Sequence, residues 1–372
     1  MNKRAVVFGV TGQDGSYLSE LLLEQGYEVV GVRRRASTDN TDRLGNVKGN
    51  DSFTLVEGDI TDASSVSGIV SQYLNEEGGE CYNLAAQSHV GTSFEQPSAT
   101  FNINAGGVLN ILESIRTMNP SIRFYQASTS EMLGDSVNEY GYQSEDTEFA
   151  PRSPYAVAKM AGHNLVHTYR ESYGLHASCG ILFNHESERR GENFVTRKIT
   201  DYVARLDAQI KKHNLTSDDI DEKDAENLCW LPKTYVGNGE KTTWPKLRLG
   251  NLKASRDWGH AADYVRAMWL MLQQEHPDDY VIATGETHSV EQLVSVAFGL
   301  IGISDWQKYV YIDPQFFRPA EVEFLKGSYS KAKRHFNWSP EIEFEELVER
   351  MLKSDMKKYE KEARSPAVAY PQ

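Results

Sequence analysis

The chain has 372 residues, 40% of them hydrophobic and 25% charged, the make-up of a water-soluble chain with material for one large domain or two modest ones. Thirty-nine Lys and Arg against 53 Asp and Glu leave a net charge of −14, which argues against a nucleic-acid surface while leaving room for an anionic ligand at a local Arg cluster. Cys81, Cys179 and Cys229 form no Cys-x-x-Cys and no zinc set, no apolar run is long enough for a bilayer, and the first residues show no signal-peptide pattern, so a reducing cytoplasmic setting without metal or membrane is expected.

Ala5–Phe8 reads as a buried strand ending at Gly9. Tyr17–Gln25 carries apolar residues at helical spacing and closes at Gly26, and Glu28–Val32 is a second strand, which completes a βαβ unit. Phe53–Glu57 (followed by Gly58-Asp59), Cys81–Leu84 and Phe124–Ala127 are further strands; Ser153–Ser172 suits a long helix and Ala177–Phe183 a sixth strand. Strands alternating with helices across short turns predict an α/β fold with a doubly wound parallel sheet, the Rossmann arrangement. Beyond Asn184 the pattern is mixed, with helices over Asp263–Gln273, Ser289–Ile301 and Phe344–Lys361 and a short strand over Tyr280–Ala283. The expected division is a Rossmann domain over 1–183, to which 250–288 returns, and a smaller mixed α/β domain from 184–249 and 289–372. Residues 207–246 are polar, with an acidic run at Asp218–Glu222 that lacks the spacing of a calcium loop, and read as a solvated surface insertion.

Gly9-Val10-Thr11-Gly12-Gln13-Asp14-Gly15 follows a strand and opens a helix. Its glycines suit a tight turn, close approach of backbone to phosphate, and helix–strand packing, with the helix N-terminus facing a pyrophosphate. The second strand ends in Arg33-Arg34-Arg35 where an Asp or Glu would select NAD, so Arg34 and Arg35 point to the 2′-phosphate of NADP, at least one of the three being a solvated or bridging residue. Asp59, with Ile60 beside it, either meets the adenine ribose or caps its own turn.

Tyr155 and Lys159 lie four apart on one helix face. An ammonium beside a phenol lowers its pKa and lets it act as a base toward an alcohol. Upstream, Ser128-Thr129-Ser130-Glu131 offers a hydroxyl and a carboxylate. A carboxylate beside a sugar can remove a proton alpha to a transient ketone and protonate a departing hydroxyl, so Glu131 points to elimination of water; the alternative is a helix-capping Glu.

At this level of detail the chain resembles the GDP-mannose 4,6-dehydratase family of extended short-chain dehydrogenases/reductases. The matching segments are Gly9–Leu18, Asn83–Phe94, Tyr125–Glu131, Pro151–Lys159, Ile181–Ile199, Leu249–Val265, Tyr280–Glu286 and Arg318–Val322. The resemblance implies an NADP that is reduced and reoxidised within one turnover: Tyr155 takes the 4-hydroxyl proton while hydride leaves C4, Glu131 removes the C5 proton, water leaves from C6 and hydride returns there. Thr129 is implied at the 4-oxygen and Lys159 at the nicotinamide ribose. Leu84, Ala86, Ser88, His185 and Arg190 match cofactor positions; Ser88, Asn184, Val195, Lys198, Arg256, Arg318 and Glu321 match positions that grip the GDP-sugar, which makes the smaller domain the nucleotide-sugar-binding one. Ion pairs Arg256–Asp257 and Arg318–Glu321 are the structural alternatives. The resemblance also implies a homodimer or homotetramer with the 35–46 loop near a neighbouring subunit's NADP. Departures are Glu188 where the family has Pro, Met132-Leu133 before Gly134 where an aromatic is usual, a longer 207–246 link and a shorter 301–318 segment. They leave a GDP-manno-heptose dehydratase, or an epimerase or reductase on the same fold, as alternatives.

Overall fold

Seven strands, all parallel, build the main sheet of the computed structural model, which describes residues 3–74, 79–213, 220–223, 242–317, 320 and 322–364. In chain order they are β1 (Arg4–Phe8), β2 (Glu28–Arg33), β3 (Phe53–Glu57), β4 (Glu80–Asn83), β5 (Arg123–Thr129), β6 (Ala177–Leu182) and an edge strand over Asp279–Ile282. The spatial order is β3-β2-β1-β4-β5-β6 and then Asp279–Ile282. This is the predicted doubly wound sheet, and its strand order reverses between β1 and β4, where such folds leave a crevice at the carboxyl ends. Phe8 lies opposite both Val32 and Asn83, and Thr129 opposite Leu182, so those ends are level.

Both faces of the sheet are covered, so its strands are apolar almost throughout. In β1, Ala5 and Val7 join one core and Val6 and Phe8 the other. Helix α1 (Gln13–Glu24) places Leu18 and Leu22 in the first core, beside Tyr264, Met268 and Met271 of the Ala261–Gln273 helix. The second core is closed by α2 (Ala63–Tyr73), through Val66, Ile69 and Val70, and by a helix over Gly107–Met118, through Ile111, Leu112 and Ile115. These elements, with Ala320–Ile342, belong to one compact unit made of residues 1–185, 256–287 and 320–342.

The second unit comprises residues 186–255, 288–319 and 343–372. Its helices Val195–His213, Val290–Gly299 and Phe344–Arg364 pack on one another. Ile199, Val203 and Leu206 recur at helical spacing on the first, and Leu347, Met351 and Leu352 on the last, all buried. Strand Leu247–Leu249 pairs in parallel with Val310–Ile312. The polar stretch that begins at Asp207 differs from the sequence reading at its start: the helix runs on to His213, and Asp207 is buried and paired with Lys211 at 2.7 Å, because it still sits on the helix's inward side. Residues 220–223 and 242–245 form a parallel strand pair. The acidic residues at 218 and 219 lie outside the described residues.

Candidate active site

The turn after β1 shows why three glycines stand there. Gly9 has φ +82°, and a Cβ on it would lie 2.7 Å from the Ala85 nitrogen. A Cβ on Gly15 would lie 2.4 Å from the Gly9 carbonyl and 2.6 Å from the Val10 Cα. Gly9 thus admits the turn after β4, and Gly15 lets α1 press onto the strand that precedes it. Gly12 is the N-cap of α1 and supplies no side chain to cap it. That leaves the helix's positive end open toward the crevice, which fits a pyrophosphate and would be blocked by a capping Ser or Asp. Asp14 and Gln13 do not point away: Gln13 donates to Asp14 and to the His185 carbonyl, and Asp14 accepts from His185 Nε2 at 2.9 Å. The His185 ring also meets the Phe183 carbonyl at 2.7 Å and stacks on Tyr264. The Thr11 carbonyl accepts from Arg43 Nη1 at 3.4 Å.

Of the three arginines after β2, Arg33 lies 3.5 Å from Glu57 and 3.7 Å from Asp39. Arg34 and Arg35 are exposed and enter no ion pair among the described residues. Asp59 caps its own turn, accepting from the Thr61 amide at 2.9 Å and hydroxyl at 2.7 Å. The Ile60 side chain is in the core against Gly107 rather than in the crevice, and its carbonyl accepts from Asn110 Nδ2 at 2.8 Å, so a ligand could meet only its backbone. After β4, Leu84 donates its amide to Phe8, Ala86 is half-buried and Ser88 exposed.

The Tyr155–Lys159 pair stands on helix α6, which we number after the short helices α3 (Val90–Glu95) and α4 (Pro97–Phe101) and the Gly107–Met118 helix α5; α6 covers Pro154–Tyr173. The Ser153 hydroxyl accepts from the Ala156 amide, Pro154 occupies the first turn, and Gly174 ends the helix at φ +65°. Tyr155 and Lys159 are both buried. Lys159 Nζ donates to the Ala127 carbonyl at 2.9 Å and lies 6.0 Å from the centre of the Tyr155 ring. Burial lowers the lysine pKa to about 8, so it is an ammonium at neutral pH. Two residues beyond Ala127, at the end of β5, the Thr129 hydroxyl oxygen accepts from the Glu131 amide at 3.3 Å. Thr129, not Glu131, therefore caps the short 3-10 turn Ser130–Leu133, and the half-buried Glu131 carboxylate is not the capping group. The sequence reading passed over what lies behind: Ser128 and His163, both buried, form a polar chain with the half-buried Arg170 and Asp279. Its signal was present, since His163 is four residues past Lys159 on the same helix face.

In the second unit, Arg190 is oriented from two sides. Its Nε lies 3.0 Å from Glu186, which also accepts from Thr196 at 2.6 Å, and its guanidinium lies 3.6 Å from the Phe194 ring centre. Val195 and Lys198 are half-buried on one helix face. The Lys198 ammonium lies 4.6 Å over the Phe316 ring, and burial lowers its pKa. Arg197 donates to the Glu188 carbonyl, which places Glu188 in a fixed loop. In the first unit, Asn184 is half-buried and Arg256 buried; Asp257 spends its oxygens on the Thr284, Gly285 and Gly327 amides and the Thr284 hydroxyl. Arg318 and Glu321 lie outside the described residues. Among the described residues no three His, Cys, Asp or Glu group to hold a metal ion, and no helix is long and apolar enough to cross a membrane.

A doubly wound sheet with an open glycine turn at its switch point and a buried Tyr–Lys pair beside it defines a nucleotide-dependent enzyme of the short-chain dehydrogenase/reductase class. The family model described as GDP-mannose 4,6 dehydratase matches residues 6–224 and 233–351. GDP-mannose 4,6 dehydratase 1 of Arabidopsis thaliana is 47% identical over 364 residues, which cover 95% of this chain and 90% of the relative. The GDP-mannose 4,6-dehydratase of Vibrio cholerae is 44% identical, over 96% of this chain and 95% of the relative. Among solved structures, dTDP-glucose 4,6-dehydratase from Bacillus anthracis in complex with NAD has a TM-score of 0.74 at 19% identity, over 96% of this chain and 98% of that one, a likeness of fold. The chain belongs to the GDP-mannose 4,6-dehydratase family.

Proposed function

We propose that the chain converts GDP-mannose to GDP-4-keto-6-deoxymannose plus water, with NADP as its coenzyme. The observation that carries this is the β5 end. There the ammonium beneath the Tyr155 ring is anchored on Ala127, and the next residues of that strand bring in a hydroxyl at Thr129 and a carboxylate at Glu131 that is not a cap.

When bound, the coenzyme accepts a hydride from the sugar C4 and gives it back at C6. Tyr155 takes the proton of the 4-hydroxyl, and the Lys159 ammonium stabilises the phenolate that does so. Thr129 already accepts from the Glu131 amide, so its hydroxyl proton is left for the sugar 4-oxygen. The 4-keto group acidifies the C5 proton; Glu131 removes it and hands it to the 6-hydroxyl, which leaves as water. The proton taken by Tyr155 balances the one C5 regains at the end.

The turn Gly9–Gly15, Asp59, the backbone at Ile60, and Leu84, Ala86 and Ser88 would hold the coenzyme, together with His185 and Arg190. Because Arg33 is engaged by Glu57 and Asp39, Arg34 and Arg35 remain for the 2′-phosphate, which supports NADP over NAD. Asn184, Val195, Lys198 and Arg256 are assigned to the GDP-sugar, with Arg318 and Glu321. A homodimer or homotetramer belongs to the same reading: Arg35–Asn40 is exposed and polar, as a segment reaching a neighbour's coenzyme must be.

Incubation of the protein with GDP-mannose and catalytic NADP⁺ should give a product lighter by one water, with no net NADPH. Stoichiometric NADPH, or an isomer of unchanged mass, would instead install a reductase or an epimerase; turnover of GDP-manno-heptose alone would change the sugar. Glu131→Gln is expected to slow elimination by on the order of 100-fold or more while a single-turnover oxidation at C4 persists.

A further inference from the structure

Behind the end of β5 runs a row of polar groups, buried at Ser128 and His163 and half-buried at Asp279 and Arg170. Ser128 Oγ lies 3.0 Å from His163 Nδ1. His163 Nε2 lies 3.7 Å from Asp279 Oδ2. Asp279 is clamped by Arg170, at 2.7 and 3.0 Å, and by the Cys179 amide at 3.1 Å. The Phe149 ring packs edge-on to the imidazole with centres 5.3 Å apart. Ser128 and His163 are each about 5% exposed or less. The Asp279 carboxylate facing Nε2 favours the tautomer with the ring proton there, and in that tautomer Nδ1 accepts the Ser128 hydroxyl proton. Burial, with Arg170 and His167 adding to it, keeps the His163 pKa below its ordinary value, so the ring is neutral at neutral pH.

His163 follows Lys159 by one helical turn, and Ser128 follows Ala127 by one residue. Successive turns of α6 therefore grip successive residues of β5: Lys159 on the Ala127 carbonyl, His163 on the Ser128 hydroxyl. Thr129 is the next residue, and the Glu131 amide hangs on its hydroxyl. We propose that His163 is a positioning residue of the dehydratase, holding Ser128 so that Thr129 and Glu131, on the strand, keep their distance from Tyr155 on the helix. The ladder with β6 holds the strand through Thr129, and the two grips of α6 set how that strand end stands against the helix. The inference rests on the function proposed above.

The test compares wild type with His163→Phe, Ser128→Ala, the double variant and His163→Gln, reading kcat and KM for GDP-mannose, and Tm. Phe keeps the ring's packing against Phe149 and loses the acceptor, while Gln restores one. His163→Phe and Ser128→Ala are each expected to lower kcat about five- to tenfold, the worth of one buried hydrogen bond, with KM within about twofold. The double variant should be no worse than the poorer single, and Gln should recover most of kcat. Unchanged kcat in His163→Phe, additive losses, or a loss of active protein without a change in kcat per folded molecule overturns the inference. If His163→Phe does not fold, Ser128→Ala and His163→Gln decide it by the same criteria. A wild type inert toward GDP-mannose overturns the proposed function and this inference with it; an active wild type with unaffected variants overturns this inference alone.

Discussion

Lys159 carries two conflicting demands. In the proposed function its ammonium must be charged to support the Tyr155 phenolate, and it is buried, where charge is costly. With its pKa lowered to about 8, the charged form is lost as pH rises through 8. The kcat/KM profile should therefore fall on the alkaline side with an apparent pKa near 8, and a profile flat to pH 10 would show that the ammonium is not required. The linkage runs the other way for stability. Between about 8 and the unfolded value near 10.4 the unfolded chain binds the proton more tightly, so stability rises with pH in that window. Lys159→Met removes the buried charge in a similar volume: activity should drop on the order of 100-fold while Tm holds or rises. Gly15 is constrained by geometry alone. Gly15→Ala puts a methyl into the Gly9 carbonyl and the Val10 Cα, so a loss of about 2 kcal/mol or more and a weaker grip on NADP are expected, readable by thermal melts with and without coenzyme. Both residues were legible as sequence, Gly15 as the third of a glycine triplet and Lys159 as the partner of a tyrosine one turn away.

At the scale of elements, Asp257 is the clearest stitch. It joins the start of the Trp258–His260 strand to Thr284-Gly285 and to Gly327, three stretches far apart in the chain, by accepting from four donors. Burial pushes its carboxyl up to about 6, so above that pH all four bonds are made to a carboxylate. Asp257→Asn turns an –NH₂ toward at least one of those donors, and a loss of about 1–3 kcal/mol at pH 7 is expected in denaturant unfolding. Sequence reasoning weighed Asp257 as an ion-pair partner of Arg256; it could not see donors that come from backbone amides 27 to 70 residues away. The unread helices follow the same logic. Val66, Ile69 and Val70 of α2, capped by Asp62, and the apolar positions of α5 have ordinary helical spacing. Stretches this short gain their helicity from packing on the sheet rather than from propensity.

At the scale of the molecule, the first unit is not a contiguous piece of chain. Its β6 is covered at the edge by Asp279–Ile282, and its first core is roofed by Tyr264, Met268 and Met271. A chain truncated after His185 keeps the glycine turn, Tyr155 and Lys159, but it bares an apolar strand edge and half a core. It should aggregate, or bind a hydrophobic dye and no coenzyme; a soluble, NADP-binding 1–185 fragment would refute that account.

The order of the strands, the glycine turn between the first strand and its helix, the Tyr–Lys pair and the family itself were all determined by sequence, because each is a local pattern whose chemistry depends on neighbours within one or two turns. Tertiary structure decided which of the three arginines is left over, since Glu57 reaches Arg33 only once β2 and β3 are paired. It decided that Thr129 and not Glu131 caps the turn, and that Ile60 faces the core. It also decided that Ser128, His163, Arg170 and Asp279 meet, because side chains separated by up to 151 residues become neighbours only when β5, β6, α6 and the edge strand are packed.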